Sequence, residues 1–238
     1  MRRLLPLIAL LLPTPALADV TASYTAGSAV LTVEVDDGGN ARAGIDGKFM
    51  LIRRDGIDYA VAYAPDGKPL VTRADDALAH FAKHSPPQGK SWKTELSAEG
   101  DATVAGHPGS VWRFGPAGES PLEFVMSPDP ALAPVGQVFA RLADAFGKFV
   151  DSVAGPTADA STGVHSLFSH GTPIRIRDVK VEPSPGKVMI ELKSVSTAEI
   201  DAHRFDLPGP VMTADAFFAA VMPAPPTTDD TTAVKIEP

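Results

Sequence analysis

The chain has 238 residues, a formal net charge of −8 and no cysteine. Without cysteine there is no disulfide framework and no thiol chemistry. The acidic excess repels phosphate backbones and anionic headgroups, which argues against nucleic-acid binding and electrostatic anchoring to a membrane.

Arg2 and Arg3 precede the apolar run Leu4 to Leu12, and Ala16-Leu17-Ala18 offers small residues where a signal peptidase reads. This order predicts a secretory signal peptide over 1–18, cleaved before Asp19, and a periplasmic protein. The run is too short, and too broken by Pro6 and Pro13, to span a bilayer, and no later stretch could do so. Removing the leader takes two arginines with it, so the remaining 220 residues carry a net −10. That length can bury a core without staples. No cysteine follows the leader to carry a lipid anchor.

Residues 28–36 alternate, with Ala29, Leu31, Val33 and Val35 on one face, as in a half-buried strand. Asp37-Gly38-Gly39-Asn40 makes a turn. Strands 48–54 and 57–63 flank Asp55-Gly56, a two-residue hairpin signal. Pro65-Asp66-Gly67-Lys68 turns the chain into 70–72. The period then changes: Leu78, Phe81 and Ala82 recur at helical spacing after Asp75 and Asp76, predicting a helix over 75–84 that Ser85-Pro86-Pro87 stops.

Strands follow at 91–97, 102–105, 110–114 and 121–126. The first includes Trp92; the third sets Ser110, Trp112 and Phe114 together, and the fourth Leu122, Phe124 and Met126. Pro128-Asp129-Pro130 opens the longest helix, 131–153, whose stripe is Leu132, Val135, Phe139, Leu142, Phe146 and Phe149. Gly155-Pro156 ends it, and small residues to Gly163 read as a loop. A last hairpin spans 172–182 and 187–195 across Pro183-Ser184-Pro185-Gly186, with a bulge near Arg177-Asp178 to reconcile Ile174 and Ile176 with Val179 and Val181. Phe205 closes the sheet, a short helix covers 213–222, and the Pro/Thr/Asp-rich residues 223–238 form a disordered tail.

Chemical motifs are sparse. His80 and His84 stand four apart on a helix, with Asp76 four residues earlier, which is metal-ligand spacing without the glutamate of a zinc protease. His165 and His170 flank Ser166 and Ser169, but no G-x-S-x-G elbow occurs. Ser184 and Lys187 have S-x-x-K spacing inside a Pro-Gly turn. No phosphate-cradling glycine loop is present, and no cofactor is implied. The remaining constellation is apolar: many antiparallel strands and one phenylalanine-rich helix.

The element order and several segments resemble the periplasmic half-barrel proteins related to the LolA and LolB lipoprotein carriers and the LppX lipid-binding proteins, and still more their uncharacterised exported relatives. The segments are Lys48 to Gly56 before a Tyr-containing strand, Ala102-Thr103-Val104-Ala105-Gly106 leading to Trp112, and Met126-Ser127-Pro128-Asp129 before the long helix. Gly171-Thr172-Pro173-Ile174-Arg175 at the return hairpin and Phe205-Asp206-Leu207-Pro208 complete the pattern. The resemblance covers residues 20–210 and implies an α+β fold: a curved antiparallel sheet, an unclosed β-barrel, with helices covering its concave face. The domain reading is a signal peptide at 1–18, a half-barrel at 19–210, and a short helix with a tail at 211–238.

The function expected is non-catalytic binding of a hydrophobic ligand, a lipid or acyl chain, in a gap left between sheet and helix. Trp112, Phe124, Leu132, Val135, Phe139, Leu142 and Phe146 are its candidate walls, with no metal and no nucleic acid. Helix 131–153 acts as plug or lid, hinged at Gly155-Pro156. Two alternatives stay open: an envelope protein-interaction module with a filled core, and a metal-assisted hydrolase using His80 and His84. No motif names a protein partner.

Overall fold

Two antiparallel meanders meet at their ends to make a single sheet in a computed structural model that describes residues 19–85, 93–116, 121–154, 159–179 and 186–221. The leader, Pro86-Pro87, Trp92, the Gly155-Pro156 hinge, the Pro183 to Pro185 turn and the 223–238 tail lie outside the described residues. The first meander comprises β1 (Val20–Ala26), β2 (Ala29–Val35), β3 (Ala41–Ile45), β4 (Phe49–Arg54), β5 (Ile57–Tyr63) and β6 (Pro69–Arg73). The second comprises β7 (Thr94–Val104), β8 (His107–Pro116), β9 (Leu122–Ser127), β10 (Thr172–Asp178) and β11 (Val188–Ser196). Pairing of β1 with β11 joins them into eleven antiparallel strands, ordered β6-β5-β4-β3-β2-β1-β11-β10-β9-β8-β7 among the described residues. The sheet is curved and open, and the fold is α+β.

Four helices accompany it among the described residues: α1 (Ala74–His84), α2 (Ala133–Ala154), α3 (Ala160–Phe168) and α4 (Ala214–Val221). Helix α1 packs on β5 and β6, α2 on β1, β2 and β10, and α3 on β7 and β8, so the first three cover one face. Strand alternation puts Tyr24, Val33, Ala43 and Leu192 on that face, where they meet Leu132, Val135 and Val138 of the α2 segment in the main core. Phe124, Met126 and Leu167 form a second core under α3.

The local signals behind these elements are physical. Asp55 and Gly56 both take left-handed φ (52° and 78°), as a tight hairpin between right-twisted strands requires. Asp129 begins the long helical segment by accepting the Ala131 N–H (2.9 Å) before the 3-10 turn Pro130–Leu132 that leads into α2. It also faces His107 Nδ1 at 2.8 Å. The Ala131 bond first, and the His107 contact second, hold its carboxyl below the usual carboxylate range. A carboxyl lowered on folding stabilises the native state above its ordinary pKa of about 4, and that contribution is lost as pH falls through the lowered value. Asp129→Asn should therefore melt below the wild type at about pH 7, and the gap should narrow as pH falls below the ordinary carboxylate value of about 4 and vanish once the lowered value is passed. A gap unchanged down to about pH 2 would show that the charge plays no part.

Several sequence expectations are corrected. The expected strands 91–97 and 102–105 are one strand, β7, interrupted only by a register shift between Ala98 and Gly100. The expected loop before Gly163 contains the start of α3. Tertiary contacts make this helix: Asp151 of α2 accepts the Ala160 N–H (2.8 Å), the Ser161 N–H (3.1 Å) and the Ser161 hydroxyl. Gly147 of α2 lets the two helices touch, since a Cβ there would lie 2.8 Å from Ser161 Cα. A register shift between Ile176 and Arg177 falls beside the bulge expected near Arg177-Asp178, with its extra residue on β11, and a second shift leaves Ile174 of β10 as the extra residue against β9. Strand β10 ends at Asp178, and residues 180–182 of the expected strand lie outside the described residues.

Phe205 adds no strand. It lies in the 3-10 turn Ala202–Phe205, which packs against β3 and β4, while Leu207 packs on Met50, Ile52, Val61 and Val71 on the face away from α2. Beyond it, Met212 donates its N–H to the Val71 carbonyl (2.9 Å), and Thr72 Oγ1 donates to the Met212 carbonyl (3.1 Å), capping the β6 edge. Phe217 and Phe218 of α4 then bury against Leu70 and Ala77.

Candidate ligand groove

Between α1, α2 and the strands β3 to β5 the packing is incomplete. A groove of ≈ 480 Å³ opens there and continues inward to a smaller hollow of ≈ 70 Å³. Val138, Arg141, Leu142, Ala145, Lys148 and Phe149 of α2 face it at spacings of three and four, which is one side of an α-helix. Leu78 and Ala82 of α1 form the opposite wall, and Leu51 and Ala41 the floor. The volume lies within the ~300–1,000 Å³ typical of small-ligand sites.

The charged groups around this apolar floor are mostly matched. Arg53 of β4 and Asp58 of β5 are direct cross-strand partners, with Nη1 and Oδ2 2.6 Å apart. At the mouth Lys148 pairs with Asp144 four residues earlier (2.7 Å), and this bond raises the Lys148 pKa. Arg141 differs: among the described residues no carboxylate lies within ion-pair distance of its half-buried guanidinium, and it donates no hydrogen bond. Burial first, and the charge of Arg53 second, lower its pKa, while Asp58 opposes them. A guanidinium is so basic that it stays charged all the same. Asp75, in the first turn of α1, is the remaining acid on the groove wall.

Rings border the mouth. Phe149 meets Phe81 edge-on (6.2 Å between centroids) and Phe146 at 6.4 Å; Phe81 meets Phe218 at 4.5 Å.

The residues proposed from the sequence as cavity walls separate here. Leu142 lines the groove. Leu132 and Val135 are fully buried in the main core, where Phe139 packs edge-on against Tyr24 (5.4 Å). Trp112 and Phe124 belong to the core under α3, and the Trp112 indole stacks on His170 (3.8 Å). Phe146 is 61% exposed. Arg141, Arg53, Asp58 and Leu78 escaped the sequence reading as groove residues. The signal for Arg141 was its place on the helical wheel, among Val138, Leu142 and Ala145 rather than opposite them.

The histidine constellations resolve differently. The rings of His80 and His84 lie 4.2 Å apart, but His84 Nδ1 meets the His80 carbonyl (2.8 Å), and His80 Nδ1 meets Asp215 of α4 (2.7 Å) rather than Asp76. Among the described residues no three His, Asp or Glu side chains are placed to hold a metal. Ser169 Oγ donates to the Ser166 carbonyl (2.7 Å), while the His170 ring is stacked on Trp112. Ser184 lies outside the described residues. Among the described residues no helix is long and apolar enough to cross a membrane.

No family model matches the chain, and no curated protein matches it. Solved structures of MucB are similar to it. A crystal structure of MucB is 16% identical, covers 80% of this chain and 57% of that one, and has a TM-score of 0.32. MucB in complex with MucA(peri) is 16% identical, covering 76% and 51%, with a TM-score of 0.30. The Pseudomonas aeruginosa MucA/MucB complex is 15% identical, covering 79% and 55%, with a TM-score of 0.31. The chain thus spans little more than half the length of the MucB chains that it matches. At these scores the functional reading rests on the groove itself.

Proposed function

We propose that the protein is a non-catalytic periplasmic binding protein for a hydrophobic ligand, a lipid or acyl chain, held in the groove between α1, α2 and β3 to β5. The observation that carries this reading is the apolar lining of Leu51, Leu78, Val138, Leu142 and Ala145 around the inner hollow of ≈ 70 Å³, which opens into the groove of ≈ 480 Å³. Burying about 200 Å² of an alkyl chain would contribute roughly 5 kcal/mol before ordering costs. The predicted leader supplies the location.

Ala145 lines both the groove and its inner hollow, so Ala145→Trp tests the reading. The indole should occupy the ligand's volume and weaken uptake of an uncharged fluorescent acyl probe by about ten-fold or more, equivalent to ~1.4 kcal/mol. The melting temperature should change little, because the added ring enters open space. Two results would end the proposal: no probe uptake by the wild type, or full uptake by the Ala145→Trp variant.

A further inference from the structure

Two charged groups of the groove, Asp75 and Arg141, lack an ion-pair partner among the described residues; Asp75 is exposed to water, and Arg141 is half-buried. Asp58 is engaged by Arg53, and Asp144 by Lys148. Arg141 of α2 shares the lining of the inner hollow with Leu51, Val138 and Leu142, and among the described residues its donors have no partner. A guanidinium taken partly out of water without a partner costs free energy, which a planar two-oxygen acceptor would recover through paired, charge-assisted bonds. We propose that Arg141 anchors the head of the ligand and that the ligand is a single-chain carboxylate amphiphile, its tail lying along Leu51, Leu78 and Leu142. This deepens the hydrophobic-ligand reading and rests on it.

The charge balance selects the head. Arg53, Arg141 and Lys148 face Asp58, Asp75 and Asp144 around the groove, so the formal charges cancel. Asp75 has no ion-pair partner among the described residues; it lies near enough to Lys148 to raise that amine's pKa. A monoanion satisfies Arg141 and leaves a single negative charge near Asp75, whereas a dianionic phosphate monoester would add two. An alkylamine would place like charge beside Arg141, and an alcohol would leave its fork without a charged acceptor. The groove volume of ≈ 480 Å³ suits one chain rather than several.

The test compares dodecanoate, dodecanol, dodecylamine and dodecyl phosphate as competitors for an uncharged acyl probe. It uses the wild type, Arg141→Met and Arg141→Lys. The wild type should bind dodecanoate roughly 10- to 100-fold more tightly than dodecanol, with dodecyl phosphate weaker than dodecanoate. Arg141→Met keeps the apolar stem and should erase that preference while dodecanol binding stays within about two-fold. Arg141→Lys keeps charge without the fork and should restore only part of it. An arginine that merely covers apolar surface with its methylenes would leave the ligand ranking of Arg141→Met unchanged, and that ranking would overturn the inference. Equal binding of dodecanoate and dodecanol by the wild type would also overturn it but leave the hydrophobic-ligand reading standing. Binding of none of the four, with no uptake of the probe, would remove both.

Discussion

Replacing Tyr24 with Ala is expected to destabilise the protein by about 3–5 kcal/mol, the usual range for emptying a large buried aromatic site. Tyr24 sits at the seam on which the whole sheet depends. It pairs with Leu31 across β1–β2 and with Leu192 across β1–β11, and its side chain is wholly buried. Its ring packs edge-on against Phe139 of α2, and its hydroxyl donates to the Pro173 carbonyl at 3.1 Å. Burial raises the phenol pKa far above neutrality, so the hydroxyl remains a donor. One side chain therefore ties both meanders and the long helix together. For a chain of this size the loss corresponds to a fall in melting temperature of roughly 6–20 °C. Tyr24→Phe keeps the ring but leaves the Pro173 carbonyl without its donor, at a cost of about 1–3 kcal/mol. Denaturant melts of both variants check the order. A cost for Tyr24→Ala below about 1 kcal/mol would mean that the β1–β11 seam is not where the sheet is held.

The second large effect is expected at Glu34, on the other face of the sheet. Arg204 holds its carboxylate with two bonds (3.0 and 3.1 Å), and Arg42 reaches it at 3.3 Å. The Glu34 side chain is 10% exposed and that of Arg42 14%, so most of this cluster is shielded from salt. Glu34→Gln removes the charge and keeps the shape. It leaves Arg42 with the exposed Asp46 and the Met50 sulfur, and frees Arg204. Removing one partner of a buried pair costs about 3–5 kcal/mol; the half-exposed Arg204 and the alternative partner Asp46 bring the expectation to about 2–3 kcal/mol. The loss should be local first. Hydrogen exchange should quicken at residues 202–207, where the chain folds onto the sheet, before it does in β1 or β11. In a double-mutant cycle Arg204→Met should add less to Glu34→Gln than it costs alone. Exchange rates at 202–207 identical to the wild type would show that apolar contacts of Phe205 and Leu207 fasten this segment without the ion pairs.

Much of the architecture was open to reading before any coordinates. Asp55-Gly56 announces its hairpin because both residues tolerate the positive φ that a tight turn needs. The α2 stripe is visible because Leu132, Val135, Phe139 and Leu142 repeat with the helical period. Strands β1 and β3 gave weaker signals. Their inward residues include Ala22, Ala41 and Ala43, too small to stand out as an alternating pattern. In β3, Gly44 must lack a side chain, since a Cβ there would lie 2.3 Å from the Phe49 carbonyl oxygen. Helix α3 is hidden in the sequence because Ser161, Thr162 and Gly163 are indifferent or poor helix formers, and its start is made by Asp151 from another helix.

By itself, the sequence determined what short-range rules encode: turns from Gly and Asp, strands from alternation, the long helix from its stripe, and an acidic chain with no disulfide. These follow from backbone sterics and from periods of two and 3.6 residues, which need no knowledge of distant partners. Tertiary structure alone decided that β1 pairs with β11 and that Phe205 lies on the outer face. It alone decided which phenylalanines are core and that a lone arginine lies over an unfilled apolar floor. Each of these is a meeting of residues far apart in the chain, and helical or strand periodicity reports which way a side chain points, not what it will find there.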